Sequence, residues 1–392
     1  MRVLMLTDYF APHSGGGVER VVLELSRALT GLGLEVAVVT LAAPGAPRAE
    51  ILAGVRVERV GALSLTPVLG LQSAFAPRLY GRALTFCARF RPDIIHAHNI
   101  FFVASAVAPW LKMRLGVPLV TTMHLGSLER LDGLHRWAAR LYEVSVGRWI
   151  LRHSDLVVAV GDAVRDHARS LGVTPDRLIT IPNSVAAPPA RVPPAGVSPT
   201  GYPLTPPRVV FVGRLIVNKG PHLLVNAAGD VLQKDPRVEF HFVGDGPLRN
   251  RLEAEVARRG YGRQFRFWGL RDDVPDILSS ATLFVRPSLL EGMPLAVLEA
   301  MVCGVPVIAT RVGGTAELIQ DGETGWLVEP GDARGLATAI LALLRDPPQR
   351  RRLAANARNR AERHIGWDAA AAHLRAEYAR LLGKAPPARR PA

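Results

Sequence analysis

The chain has 392 residues, 48% of them hydrophobic, and carries 48 basic against 34 acidic side chains for a formal net charge of +14. At roughly 150 residues per domain such a length suggests two or three domains, of which two is the expectation, and the apolar fraction allows large cores. The excess charge is split evenly, +7 in residues 1–205 (21 basic, 14 acidic) and +7 in 206–392 (27 basic, 20 acidic), so there is no basic tail of the kind that grips nucleic acid.

The first residues, Met1-Arg-Val-Leu-Met-Leu-Thr7, form too short an apolar run for a secretory signal and read as a strand. No window reaches the roughly 18 uninterrupted apolar residues of a spanning helix; Ile100 to Leu111 comes nearest and is broken by Pro109. A cytoplasmic protein is expected. Its two cysteines, Cys87 and Cys303, lie far apart in apolar segments and read as small buried hydrophobes, implying neither disulfide nor metal.

In chain order, short β-branched runs fall at Val3–Thr7, Val36–Thr40, Asp93–Ala97, Pro118–Thr122, Asp155–Val160 and Leu178–Ile181. Segments with helical spacing lie between them, among them Val18–Leu32, Ser73–Phe90 and Gly133–Arg152. Such alternation implies a parallel sheet with helices on both faces. Residues 186–207 hold eight prolines and no helical period, and read as a linker. A second round follows: Arg208–Val212, Val238–Val243, Phe265–Trp268, Thr282–Val285 and Pro306–Thr310. The expected architecture is therefore α/β, two doubly wound Rossmann-like domains (1–185 and 208–365) facing a cleft, since such sheets bind ligands at the carboxyl ends of their strands. A helix over 367–382 is expected to return to the first domain, and 383–392 to be a disordered tail.

Chemistry-bearing residues collect at predicted strand ends. Ser14-Gly-Gly-Gly-Val-Glu-Arg20 joins the first strand to the first helix, where Gly16 and Gly17 could bring backbone amides to a phosphate or a sugar, although such turns often serve only chain reversal. Gly213 ends the strand after the linker and presents Arg214 and Lys219, two cations suited to the charge that develops on a departing nucleoside diphosphate. The most informative stretch is Glu291-Gly-Met-Pro-Leu-Ala-Val-Leu-Glu299. Pro294, with no amide hydrogen, suits a first helical position, Gly292 lets backbone approach a ligand, and the free amides on either side of Pro294, at Met293 and Leu295, can hold a phosphate between two carboxylates. Each carboxylate could accept hydrogen bonds from a vicinal diol, as a ligand with both phosphate and sugar hydroxyls would offer. A nucleotide-sugar has those parts. Val243-Gly-Asp-Gly-Pro247 is read as structural, and Gly313-Gly314 as a third close-approach loop. His96 and His98 sit two apart at a strand end and read as hydrogen-bonded packing, while His124 ends the next strand and could meet a transferred sugar or an acceptor hydroxyl.

These motifs resemble those of the retaining glycosyltransferases of family four: GGGVER near the start, VGRLIVNKG after the linker, and RPSLLEGMPLAVLEAMVCGVPVIATRVGGTAELI beyond it. The resemblance covers nearly the whole chain and implies a two-Rossmann-domain GT-B fold, a UDP- or GDP-sugar donor and no metal or other cofactor. It implies that Glu299 holds the ribose hydroxyls, Glu291 contacts the donor sugar, the amides of Met293–Leu295 lie near the phosphate, Arg214 and Lys219 stabilise the diphosphate, and His124 lines the acceptor side. Two positions depart from the family pattern. Leu125 stands where an acid is common, so no general base is assigned, and Asn183-Ser-Val-Ala186 replaces Asn-Gly-Val-Asp. Retention in the family is explained by front-face attack with the leaving phosphate taking the acceptor proton, which needs no side-chain base.

The expected acceptor is a saccharide or a lipid-linked sugar. Ser127–His153 holds five arginines and three acids with Trp137, Tyr142 and Trp149 interleaved, a pattern that fits either a solvated helix or peripheral contact with an anionic membrane in cell-envelope or exopolysaccharide synthesis. Two competing readings are a nucleotide-sugar epimerase, which needs no acceptor, and a basic nucleic-acid binder, which leaves the spaced carboxylates unexplained.

Overall fold

A computed structural model describes the chain outside residues 11–15, 44, 65–73, 127–132, 188–205 and 384–392, and outside the side chains at 64, 134 and 135. Most of the expected linker, nearly all of the expected tail, and Ser14 and Gly15 of the glycine turn lie outside the described residues. The chain divides into two compact units: Met1–Asn183, which the chain rejoins from Trp367, and Ser184–Gly366. The linker expected from residue 186 is preceded by residues that already belong to the second unit. Val185 pairs with Ile365 in a parallel bridge, its amide donating to the His364 carbonyl at 2.8 Å.

The sheet of the first unit contains β1 (Arg2–Leu6), β2 (Glu35–Leu41), β3 (Ala49–Leu52), β4 (Val55–Val60), β7 (Ile94–His98), β8 (Leu119–Met123), β9 (Leu156–Ala159) and β10 (Leu178–Thr180). Its order is β10-β9-β8-β7-β1-β2-β4-β3, parallel except for the β3–β4 pair. All five residues of β7 and of β8 are buried, as expected of central strands covered on both faces. The order reverses at β1, which pairs with β2 on one side and β7 on the other, so the strand ends carrying His98 and His124 adjoin the switch point. The antiparallel hairpin β3–β4 was not anticipated; its two-residue turn is Ala53-Gly54, both at positive φ. Leu63–Ser64 (β5) and Ala74–Phe75 (β6) form a separate small pair. The helix expected from Ser73 begins only at Leu79, because Pro77 bars a helical interior and Arg78 takes the N-cap.

The segment from Gly133 is helical to His153 but includes a π turn at Glu143–Gly147. That turn seats the buried Glu143 carboxylate 2.6 Å from His167 Nε2. The last helix, Asp368–Leu381, packs in this unit against the helix Gly17–Gly31, and its Tyr378 is fully buried.

The second unit has six parallel strands, β11 (Arg208–Val212), β12 (Glu239–Val243), β13 (Phe265–Gly269), β14 (Leu283–Arg286), β15 (Val307–Thr310) and β16 (Trp326–Val328). Their order is β13-β12-β11-β14-β15-β16. Its core combines Phe211, Phe240, Phe242 and Phe265 with the inner faces of the helices Pro221–Lys234 and Ala333–Arg345. Each such ring contributes about 1.5–3 kcal/mol by its burial. Here the order reverses at β11, which lies between β12 and β14.

Candidate active site

Three chain segments of the second unit leave the carboxyl ends of β11, β14 and β15, next to that reversal, and lock together. Gly213, directly after β11, has φ +151°, and a Cβ there would overlap Nη1 of Arg286, the last residue of β14. Any Cβ here would displace this guanidinium, whose Nη1 donates to the Val212 carbonyl. The loop after β15 is fixed likewise: the Gly314 amide donates to the Gly292 carbonyl at 2.7 Å, and a Cβ on Gly313, at φ +44°, would overlap the Glu291 carbonyl. Thr310 at the end of β15 donates through Oγ1 to the Ser288 carbonyl.

Glu291 sits at the centre of this cluster, with 5% of its side chain exposed. Its Oε2 accepts from Lys219 Nζ at 2.7 Å, and its Oε1 from Arg286 Nε at 3.0 Å and Ser288 Oγ at 2.7 Å. Burial by itself would raise this carboxyl, but the charges of Lys219 and Arg286 with the bonds from Lys219 and Ser288 outweigh it and bring it down to about 2. Lys219 is shifted the other way for a charged group. Burial is the largest influence and lowers it, Glu291 opposes this, and the charges of Arg286 and Arg214 reinforce it. The two partners of one ion pair therefore differ in how well they are held: the carboxylate faces two cations and a hydroxyl, whereas the ammonium shares that carboxylate with Arg286 and is repelled by the charges of Arg286 and Arg214. Lys219 and Arg286 together hold Glu291 as an anion, and the charge of Arg214 adds to that of Arg286 on Lys219.

The structure thus brings Lys219, Glu291 and Gly213 together, with Arg214 close enough for its charge to act on Lys219. Met293 and Leu295 are buried, and the helix runs Leu295–Val302. Pro294 is its N-cap rather than its first residue. It is extended (φ −75°, ψ 113°), and its carbonyl accepts the first helical bonds, from Val297 at 3.2 Å and Leu298 at 3.3 Å. Glu299 stands in the second turn, 9% exposed, and its charge adds to burial in pushing the Cys303 thiol up to about 12. Sequence reasoning missed Arg286, Ser288 and Thr310. The available signal was an arginine closing the apolar run Leu283-Phe-Val-Arg286, where a solvated charge would be expected and a 5% exposed one is found.

Gly16, Gly17 and His124 lie in the first unit. A Cβ on Gly16 would overlap the carboxylate of the buried Glu19, so this glycine makes room for the chain's own acid; an added Cβ on Gly17 meets nothing within 4 Å. His124 belongs to a buried row of three imidazoles. His96 and His98 stack with ring centroids 4.3 Å apart, and His98 Nδ1 lies 3.2 Å from His124 Nε2. His96 Nδ1 is 2.6 Å from the Tyr378 hydroxyl and its Nε2 2.6 Å from Thr122 Oγ1. Burial first, then mutual repulsion, holds His96 at about 3 and His98 well below the ordinary imidazole range, and burial holds His124 at about 3. All three are neutral at physiological pH. Among the described residues no group of three or more His, Cys, Asp or Glu side chains is disposed to hold a metal ion.

Comparison with known proteins agrees with this anatomy. Residues 15–187 match the profile described as Glycosyltransferase Family 4, and residues 198–360 that of Glycosyl transferases group 1. The 2-deoxystreptamine N-acetyl-D-glucosaminyltransferase of Streptomyces fradiae is 32% identical over 91% of this chain and 91% of its own length. Sucrose-phosphate synthase from Thermosynechococcus elongatus superimposes with a TM-score of 0.81 at 25% identity, over 97% of this chain and 99% of that one. HepE from Anabaena, solved with UDP and glucose, gives 0.74 at 22% identity, over 95% and 98%. Two parallel α/β sheets of this kind are the Rossmann-like domains of the GT-B fold. The chain is a glycosyltransferase and belongs to family 4.

Proposed function

We propose that this enzyme moves a hexose from a UDP- or GDP-sugar to a saccharide or lipid-linked acceptor with retention of configuration and without a metal ion. The observation that carries this reading is the cluster around Glu291. Its cations at the β11 and β14 ends suit a diphosphate, and Lys219, which burial and the neighbouring guanidiniums disfavour as a cation, gains from a phosphate oxygen. Lys219 and Arg214 would face the leaving group, the amides of Gly292, Met293 and Leu295 with the Pro294 turn would cradle phosphate, and Glu299 would take the ribose hydroxyls. Glu291 aligns Lys219 and Arg286 and keeps lone pairs for a sugar hydroxyl.

In the reaction the bond from the anomeric carbon to the diphosphate breaks with its electron pair on the phosphate oxygen. The acceptor oxygen bonds to the same face, and its proton passes to that departing oxygen. The chain's own groups supply the stabilising charge, so Leu125 in place of an acid costs the reaction nothing. Binding of UDP and glucose by the Anabaena structure supports a UDP-sugar among the donors. Screening UDP- and GDP-sugars for thermal stabilisation, then assigning the product anomer by NMR, tests the reading; an inverted product would refute it.

A role at the membrane in cell-envelope glycan synthesis is favoured by the helix beginning at Gly133. Exposed Trp137 lines a groove of about 650 Å³ with Arg136 and Arg140, and Leu141 on the same helix is exposed as well. No helix among the described residues is long and apolar enough to cross a membrane. Flotation with anionic vesicles at low salt tests this part, and absence of binding rejects it.

A further inference from the structure

We propose that Met5 and His98 are positioning residues that fix the tautomer of His124, so that it offers a lone pair on Nδ1 to a substrate hydroxyl. The inference deepens the proposed function and rests on its reading that His124 meets substrate. The argument begins at a sulfur. His98 Nε2 lies 3.5 Å from Met5 Sδ, and a thioether only accepts. An unprotonated Nε2 would set lone pair against lone pair in a site with no exposed surface, so Nε2 carries the proton. His98 is neutral, which leaves Nδ1 bare. At 3.2 Å from Nδ1, His124 Nε2 must then be the donor. A neutral His124 that donates through Nε2 has no proton on Nδ1.

The row is held against rotation from its far end. His96 stacks on His98, and its two nitrogens are engaged by Tyr378 and Thr122, on the last helix and on β8. His98 and His124 are themselves close to parallel, with an interplanar angle of 25°. A proton preference set at Met5 is thus handed through one ring to the next without any change of charge. An Nδ1 acceptor suits a sugar or acceptor hydroxyl and disfavours a carbonyl or phosphate oxygen, which has no proton to give.

The full chain labelled with ¹⁵N-histidine reports tautomers by NMR without any donor or acceptor. His98 and His124 should both show a protonated Nε2 and an unprotonated Nδ1. Met5→Leu, which conserves volume, should mix the two forms of both rings. His98→Asn keeps an oxygen near the place of Nδ1, whereas His98→Phe fills the space and accepts nothing. Turnover should fall about tenfold in His98→Phe, the loss of one oriented hydrogen bond, fall in Met5→Leu in proportion to the share of His124 that the NMR shows in the other tautomer, and stay within about twofold in His98→Asn. A packing role would rank the two His98 variants in the opposite order. A wild-type His124 protonated at Nδ1, unchanged tautomers in Met5→Leu, or equal turnover of the Phe and Asn variants overturns the assignment. If no UDP- or GDP-sugar is turned over by the wild type, the proposed function fails and the NMR result still decides the tautomer.

Discussion

Lys219 and Glu291, 72 residues apart in sequence, meet at 2.7 Å in a site where one is 18% and the other 5% exposed. The pair is asymmetric: the carboxylate is stabilised as an anion, and the ammonium is strained as a cation. The proposed roles of the pair in binding and catalysis rest on that imbalance.

Removal of either partner should lower turnover on the true nucleotide-sugar by about 10²–10³-fold, the range for loss of one preorganised charge-stabilising group. Lys219→Ala and Glu291→Ala are the variants, with circular dichroism to confirm the fold. A chelator should leave the wild-type rate unchanged. A wild-type rate for Lys219→Ala would remove the leaving-group role.

Nucleotide affinity should fall as pH rises through the lowered Lys219 titration, because a bound diphosphate favours the protonated ammonium that burial disfavours. Calorimetry with UDP or GDP in buffers of different ionisation heat should show proton uptake on the alkaline side. In Lys219→Arg, whose guanidinium does not titrate there, the uptake should vanish.

Acid should weaken the second unit through Glu291. Its carboxyl falls from an ordinary 4.5 in the unfolded chain to about 2 in the folded one, so the stability it adds is complete above pH 4.5 and is lost as pH falls toward 2. The shift corresponds to about 3 kcal/mol. In urea titrations the difference between wild type and Glu291→Gln should shrink by that order between pH 5 and pH 2, and a constant difference would contradict the assignment.

Tyr378→Phe should cost the first unit about 1–3 kcal/mol, since it leaves His96 Nδ1 buried without a partner while filling nearly the same volume. Chemical denaturation measures it. Tyr80→Phe, at a partly exposed position, serves as the control and should change little.

Much of this was written locally in the sequence. The central strand Leu119–Met123 is a continuous run of apolar and small residues, as burial on both faces demands, whereas Ile94–His98 interrupts its apolar run with two histidines that burial then obliges to find partners. The Lys219 and Glu291 motifs carry their own chemistry. Arg286 was not legible, because its meaning depends on Gly213 and on the Val212 carbonyl 74 residues earlier. The β3–β4 hairpin was hidden for a local reason: Ala53-Gly54 lacks the Asn or Asp that usually announces such a turn. The histidine row could be foreseen only in part. His96 and His98 read as hydrogen-bonded packing, but their partners, Tyr378 and Met5, come from opposite ends of the chain.

The return of the last helix has a bearing on biosynthesis. Leu374 and Tyr378, both buried in the first unit, leave the ribosome after all of residues 184–366. The strands of the first unit therefore wait, with an apolar flank bare, until the helix Asp368–Leu381 has emerged. The second unit, Ser184–Gly366, has every part it needs before then, so of the two units the one begun earlier should be the one completed later.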